Sequence, residues 1–464
     1  MLSWTRHWMV SDYAIERPDA HVYVCSDGEA APEHSALCVL GRHLKLEPRA
    51  LGTFLMRSIP ARAEDLLVLA GAVAYIDRLG KRHHSKCWER DLFLSLPVRD
   101  FDFWDASDLR DELKSLLEML TGDSWYLEFR PGRAPLPVDR QGSLSLTDTP
   151  PVVIPYSNGL DSFAVARLHA QPRQHIIRVS TGRVGDTEKK VSHARTASTR
   201  WVSMPISLPG AGVRLPEQSY RSRGFLFGAV AATAAGIMKG AEIVVPESGQ
   251  GTFGPALTVI GHEHPDVRMS PIFTSALGRF VSRIFESPIR FVHPRVWSTK
   301  GETLAALQIA QLSEGWEVTV SCSRSSRRKI QGSVAKHCGV CANCLLRRQS
   351  LQVAGLVSSS QEPYIWPDLG QSPPWTSRDH PVPGKSVVQQ AISAILAMRD
   401  FAMISPESPL VLREAAAIAE ALGEPRESTL HGMHHVMAKH REEWSALLST
   451  FPPTSLFRAL GAVA

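Results

Sequence analysis

Four cysteines constrain this chain more than any other feature: Cys322, then Cys338, Cys341 and Cys344 in the run Cys338-Gly339-Val340-Cys341-Ala342-Asn343-Cys344. The spacing C-x15-C-x2-C-x2-C is that of a zinc site. Zinc takes four thiolates at the corners of a tetrahedron, about 2.3 Å from the metal, and two-residue gaps let consecutive sulfurs converge on one ion. Four protein ligands close the coordination sphere, so the expected role is structural. The chain has seven cysteines in all, and three of them fall within seven residues, which argues against unrelated buried thiols. An iron–sulfur cluster is the alternative the same four residues leave open, because that chemistry also favours four cysteines.

A second segment carries chemistry. Val152-Val153-Ile154-Pro155-Tyr156 runs into Ser157-Asn158-Gly159-Leu160-Asp161-Ser162 and then Phe163-Ala164-Val165-Ala166-Arg167-Leu168, the pattern of an apolar strand, a short polar turn and a helix. Small residues in such a turn let backbone N–H groups and hydroxyls approach phosphate oxygens, with the positive end of the helix behind them. No Gly-Lys-Ser/Thr follows, so this is not a Walker loop. The competing reading is an ordinary strand-to-helix turn capped by serine and aspartate. The turn resembles the S-G-G-x-D-S loop of the N-type ATP pyrophosphatases: Ser157, Gly159, Asp161 and Ser162 match, and Asn158 replaces a glycine. Asparagine tolerates positive φ better than most residues, so the turn survives that exchange.

Loop and cysteines together resemble the 7-cyano-7-deazaguanine synthase (QueC-like) branch of that superfamily. Tyr220-Arg221-Ser222-Arg223-Gly224-Phe225-Leu226 is similar to the family's Arg-x-x-x-Phe-Leu segment, with Arg221 in place of the family arginine. Ser298-Thr299-Lys300-Gly301-Glu302 resembles its Lys-x-Glu helix start, Thr319-Val320-Ser321-Cys322 its Thr-Trp-Ser-Cys, and Leu345-Leu346-Arg347-Arg348 follows the last cysteine as expected. The resemblance covers residues 150–356.

It implies a doubly wound α/β parallel-sheet core of the PP-loop type, with strands at 152–156, 175–180 and 242–246 and a buried helix at 224–238. Ligands of such sheets bind beyond the carboxyl ends of the strands, where the Ser157 loop falls. The resemblance also implies that the carboxylate of 7-carboxy-7-deazaguanine attacks the α-phosphate of ATP, giving an acyl-adenylate that nitrogen converts to an amide. Ser157, Asp161 and Ser162 are then the catalytic residues, touching pyrophosphate and magnesium, and ATP is bound by residues Ser157, Asn158, Gly159, Leu160, Asp161, Ser162 and Arg221. In the same crevice Glu247 is placed to receive a purine's N–H donors and Arg268 to hold a carboxylate. The cofactors expected are structural zinc, ATP and magnesium.

Length and composition add the rest. At 464 residues the chain suggests two or three domains. A turn-rich stretch from Arg130 to Val152 and a Pro- and Ser-rich stretch over 357–385 read as linkers. They delimit an N-terminal α+β domain over 1–145, with strands at Leu92–Val98 and Trp125–Phe129 around a helix at Ser107–Leu120, and a helical C-terminal region over 386–464. With 51 basic against 46 acidic residues and a net charge of +5, nucleic acid is not the expected partner, although the cluster Arg324, Arg327, Arg328 and Lys329 leaves RNA or an acidic partner open. The longest apolar stretch, Gly224–Met238, is too short to span a bilayer, and Met1–Asp12 has no secretory apolar core. A cytoplasmic protein with no membrane partner is expected. Histidines at 83 and 84, at 262 and 264, and at 431, 434 and 435 are weaker metal candidates, and a solvated basic turn is the favoured reading of the segment around Arg82.

Flanks of this size have no counterpart in the minimal biosynthetic enzyme and resemble those of antiphage cassettes, including the cyclic-oligonucleotide signalling type. There the activated deazaguanine would meet an amine of a partner protein encoded nearby. Ordinary nitrile synthesis from ammonia, adenylation of tRNA and a non-catalytic nucleotide-binding protein are the other readings.

Overall fold

In the computed structural model the described residues are 8–463, apart from 11–12, 16–17, 31, 49–50, 52–58, 84–86, 133–150, 158, 171–175, 182–198, 204–205, 209–212, 240–241, 260, 324–335, 357–363 and 371–381. Two parallel sheets dominate. The first orders its strands β2-β1-β3-β4, with β1 at Ala20–Cys25, β2 at Ala36–Val39, β3 at Asp91–Val98 and β4 at Ser124–Pro131. Every pairing in it is parallel. The N-terminal region is therefore layered as α/β rather than α+β. Parallel neighbours need a crossover, and helices α1 (Ala61–Leu79) and α3 (Ser107–Thr121) supply two of them, with the single turn α2 (Phe101–Trp104) leading into the second.

The second sheet contains β5 (Val152–Pro155), β6 (Ile176–Ser180), β7 (Thr199–Ser203), β8 (Glu242–Val244) and β9 (Arg290–Val292), in the order β7-β6-β5-β8-β9 and parallel throughout. The chain moves outward from β5 to β7, then returns to the other side of β5 as β8 and β9. That reversal leaves a crevice between the carboxyl ends of β5 and β8, the position where open α/β sheets bind ligands. Helix α4 (Leu160–His169) follows β5, and α5 (Arg223–Ile237) packs on the sheet.

Helix α1 is buried along almost its whole length because it lies between the first sheet and α5. Apolar residues all round a helix are what such a position requires. One continuous core joins the two sheets through Leu67, Val73, Ala231, Phe280 and their neighbours.

A buried charge network sits at the same junction. Arg82 makes two parallel bonds to Asp123 (2.6 and 2.7 Å), while Arg90 bonds both Asp77 and Asp123 at 2.7 Å. All four side chains are essentially inaccessible. Two arginines and two aspartates cancel in charge, which is the condition for burying them at tolerable cost. Asp77 also accepts the Ser222 N–H at 2.9 Å. The Arg82 segment is therefore not a solvated basic turn but the clamp that fixes the segment presenting Arg221.

The remaining helices run from α6 (Gly249–Leu257), α7 (Pro271–Phe285) and α8 (Lys300–Ile309) to α9 (Ala342–Val353), then α10 (Lys385–Met403), α11 (Pro409–Leu422), α12 (Arg426–Ser449) and α13 (Leu456–Gly461). Helices α10 and α12 pack on α6 and α9, so the C-terminal helices back the second sheet's site rather than hanging from it. Residues 364–370 are tied to the cysteine segment by Ile365 N–H to His337 O at 2.7 Å and Trp366 N–H to Cys338 O at 3.3 Å, with Tyr364, Trp366 and Leu369 buried. Among the described residues, no helix is long and apolar enough to cross a membrane.

Candidate active site and metal centre

The loop after β5 folds on its own serines. Ser157 Oγ accepts the Gly159 N–H at 3.2 Å and lies 3.1 Å from Ser162 Oγ; the Ser162 hydroxyl is also within reach of the Ser157 and Gly159 carbonyls. Helix α4 begins immediately behind, and the first N–H groups of a helix have no intrahelical acceptor. Asn158 lies outside the described residues.

The residue that completes the loop comes from the start of α8. Lys300 Nζ sits 2.6 Å from Asp161 Oδ2, with both side chains largely buried. Burial alone would lower the Lys300 ammonium, but Asp161 and Glu247 outweigh it and hold it above the ordinary lysine value. Lysine at the first position of a helix opposes the macrodipole, so its presence there calls for an anion. Thr299 and Glu302 fix the start of α8 through a capping box, each bonding the other's backbone N–H.

Glu247 follows β8 on the other side of the crevice. Its Oε1 accepts the Ser248 N–H at 3.1 Å. Burial, then the neighbouring Asp161, pushes its carboxyl up to about 8, against the pull of Lys300, the Ser248 N–H and Arg268. Glu247 folds back over Gly251, where a Cβ would stand 2.2 Å from Oε1. The change Gly251→Ala is accordingly expected to leave the fold intact and displace the Glu247 side chain. Circular dichroism unchanged from wild type, with the stability of the protein less sensitive to pH up to about 8, would report that outcome.

Arg221 and Arg268 share one anion. Arg221 lies 3.2 Å from Asp266 and bonds Glu263 at 2.8 Å, while Arg268 Nε reaches both Asp266 oxygens at 2.9 Å. Arg221 also stacks over Trp88, 4.8 Å from the ring centroid, and Arg82 stacks over the same ring at 4.1 Å. Two guanidiniums thus face two carboxylates, Asp266 and Glu263, and their charges cancel on this flank of the crevice. Glu263 is spent on Arg221, and His264 bonds the Met119 carbonyl at 2.9 Å.

Two buried polar atoms here have no protein partner: Asp161 Oδ1 and, beside Glu247, Ser248 Oγ. Such atoms are rare in folded proteins and mark positions where something else bonds. The ends of β5 and β8 thus offer a cation, an unpaired carboxylate oxygen and a hydroxyl.

The four cysteines are brought together as their spacing predicts. All are buried, and their sulfurs lie within 4.8 Å of one another, with Cys338 and Cys344 Sγ 3.7 Å apart. A tetrahedral site with bonds of about 2.3 Å has edges of about 3.8 Å, so the donors fit a metal such as zinc. Backbone N–H groups of Cys338 and Cys341 point at the sulfurs of Cys322 and Cys338, both at 3.4 Å. Gly339 is held at φ +87°, and a Cβ there would stand 2.7 Å from the Trp366 carbonyl, so only glycine serves between the first two clustered ligands. No other such metal-ligating group occurs among the described residues. His83 pairs with Cys87 in an isolated bridge, His434 and His435 bond the Pro406 carbonyl and Glu302, and His84 and the basic cluster 324–329 lie outside the described residues.

Metal and crevice are connected. Arg347 on α9 bonds the Thr319 and Ser321 hydroxyls at 2.8 and 3.2 Å, and the Val320 carbonyl between them lies against Gly159 of the loop. No family model matches the chain, and no curated protein matches it.

Proposed function

We propose that this protein activates the carboxylate of 7-carboxy-7-deazaguanine, or a close analogue, with ATP and joins it to an amine. The observation that carries the reading is the Asp161–Lys300 pair at the carboxyl ends of β5 and β8, with Asp161 Oδ1 and the Ser248 hydroxyl unpartnered. It is supported by the fit of Ser157, Gly159, Asp161 and Ser162 to a pyrophosphate-holding loop.

The carboxylate oxygen attacks the α-phosphorus, the bond between the α-phosphorus and the bridging oxygen breaks, and pyrophosphate leaves with the electron pair. An amine then attacks the acyl carbon, AMP departs and the amine's proton is lost to solvent. Activation is needed because an amine cannot expel oxide from a carboxylate at neutral pH. Lys300 and the first turn of α4 stabilise the charge that builds on pyrophosphate, an electrostatic contribution set in place before reaction. Magnesium, when bound, neutralises phosphate charge, and the unpaired Asp161 Oδ1 fits such an ion. Arg268 is the candidate for the substrate carboxylate, Glu247 for the purine edge and Arg221 for ATP. Zinc in the four-cysteine site holds structure and takes no part in the chemistry.

The amine is that of a partner protein encoded nearby, as in antiphage systems, and residues 1–145 form the surface that receives it. Mass spectrometry of the products from purified protein, ATP, magnesium and 7-carboxy-7-deazaguanine tests this, with ammonium or the neighbouring protein as acceptor. AMP with pyrophosphate and a neighbour heavier by one deazaguanine amide is the expected result. Free amide or nitrile alone would make it a small-molecule enzyme, and ADP, or no nucleotide turnover, would overturn the reading.

A further inference from the structure

Lys300 is held in place from the far end of the chain. Helix α12 turns Glu443 and His440 inward, 7% and 1% exposed, beneath the start of α8. Glu443 Oε1 accepts the Thr299 hydroxyl at 2.5 Å, and Oε2 accepts the side-chain amides of Gln250 at 3.0 Å and Gln349 at 2.8 Å. One carboxylate therefore touches α6, which follows Glu247, the cap of α8, which presents Lys300, and α9, which carries Cys344 and Arg347.

The orientations of His440 and Gln250 follow from their partners. His440 Nε2 lies 2.9 Å from the Met398 carbonyl, which can only accept, so Nε2 carries the proton and Nδ1 accepts from Gln250 Nε2 at 3.0 Å. Burial pushes His440 down to about 4, so the ring is neutral at physiological pH. Both amide hydrogens of Gln250 are then committed, to His440 and Glu443. Its Oε1 faces the Lys300 N–H and accepts it at 2.9 Å. A flipped Gln250 would set its NH2 against that N–H and lose all three bonds. Space is equally tight, because a Cβ on Gly301 would stand 2.7 Å from Glu443 Oε1.

We infer that Glu443 is a positioning residue for the nucleotide site: from helix α12 it fixes, through Gln250 and Thr299, where Lys300 stands relative to Asp161. Its catalytic consequence rests on the reading of Lys300 as the pyrophosphate cation, whereas the tether itself does not. Such a tether gives the C-terminal helices an internal task in the crevice.

The variant Glu443→Gln keeps size and shape but cannot accept from Thr299 and two amides at once. In the full-length protein, amide hydrogen exchange at Lys300 is expected to quicken about tenfold, the loss of one buried hydrogen bond, while exchange in β3 and α3 stays as in wild type. AMP formation is expected to fall about 10²-fold in kcat with KM for ATP little changed, the effect of a cation displaced by about an ångström. Gln250→Met, which deletes the acceptor of the Lys300 N–H and the two bonds to α12 but leaves Glu443 its bonds to Thr299 and Gln349, carries the same expectation if Glu443→Gln fails to fold. Unchanged exchange at Lys300 in the folded variant overturns the tether, and faster exchange with unchanged kcat and KM overturns the positioning role. A wild-type protein that makes no AMP overturns the functional reading instead, and faster exchange at Lys300 would then still establish the tether.

Discussion

Exchanging Cys341 for serine is expected to release the metal and unfold the described segments 319–323 and 336–356, together with the helices packed on them. A serine hydroxyl does not ionise near neutral pH and is a poor zinc ligand, so the site drops to three thiolates. Structural zinc contributes on the order of 10–16 kcal/mol of apparent binding free energy, comparable to the whole stability of an ordinary domain. The cysteines are also part of a core. They pack with Val387, Ile395, Met398, Trp444 and Phe457 of the C-terminal helices and with Tyr364 and Trp366. Losing the metal therefore costs more than one knuckle. Metal analysis of purified protein should give one zinc per chain for wild type and none for the variant, whose thermal unfolding should shift down by tens of degrees or lose its cooperativity. A variant that keeps its metal and its melting temperature would refute the four-thiolate site, and iron in the wild type would favour a cluster over zinc.

The cysteine spacing could be read in the sequence because a metal site of this kind is set locally: three of its four donors lie within seven residues of chain. Strands β5, β6 and β8 were legible for a similar reason, since a strand covered on both faces needs an unbroken apolar run. The edge strands were not. Thr199–Ser203 and Arg290–Val292 carry arginines and are five and three residues long, and an edge needs no continuous apolar face. In the N-terminal region the helix at 107–121 and the strands on either side of it followed from their periodicity, and their strand–helix–strand order is that of a parallel pair, whereas β1 and β2, which extend the pair to a four-stranded parallel sheet, are remote in sequence.

The site divides along the same line. Ser157, Asp161 and Ser162 form one contiguous motif. Lys300 stands 139 positions beyond Asp161, and nothing in the spacing links them. The signal was present in a weaker form, a lysine directly after the cap residue of a helix whose Thr299 and Glu302 mark its start. Arg82 was misread because four charges that cancel in three dimensions are indistinguishable, in sequence, from a basic turn. Glu443 gave no signal at all, because one glutamate on a helix rich in charged residues resembles any solvated face.

Lys300→Met should be the most damaging change in the crevice. Methionine fills nearly the same volume, so the loss is that of the cation alone. Removing one partner of a buried ion pair costs about 3–5 kcal/mol, because Asp161 is left beside Glu247 with no compensating charge. Arginine is not an equivalent replacement either, since its longer, planar guanidinium does not set its charge where a compact ammonium does. The proposed AMP formation should fall by roughly 10²–10³, the loss typical of one electrostatic stabiliser. The pH dependence gives the change a signature. In the wild type Glu247 is raised to about 8, by burial first and Asp161 second. Its protonated form therefore stabilises the fold, fully so below the usual carboxylate range, and that contribution is lost as pH rises through about 8. Lys300 pulls Glu247 down, so without it the Glu247 carboxyl rises further and the decline with pH continues into more alkaline solution. Urea midpoints between pH 5 and 9 should thus separate Lys300→Met from wild type most widely at the alkaline end, and a companion change Glu247→Gln should flatten both profiles. Parallel profiles for the two proteins would mean that Lys300 and Glu247 do not share one electrostatic environment, and the crevice would lose the charge arrangement on which its proposed chemistry depends.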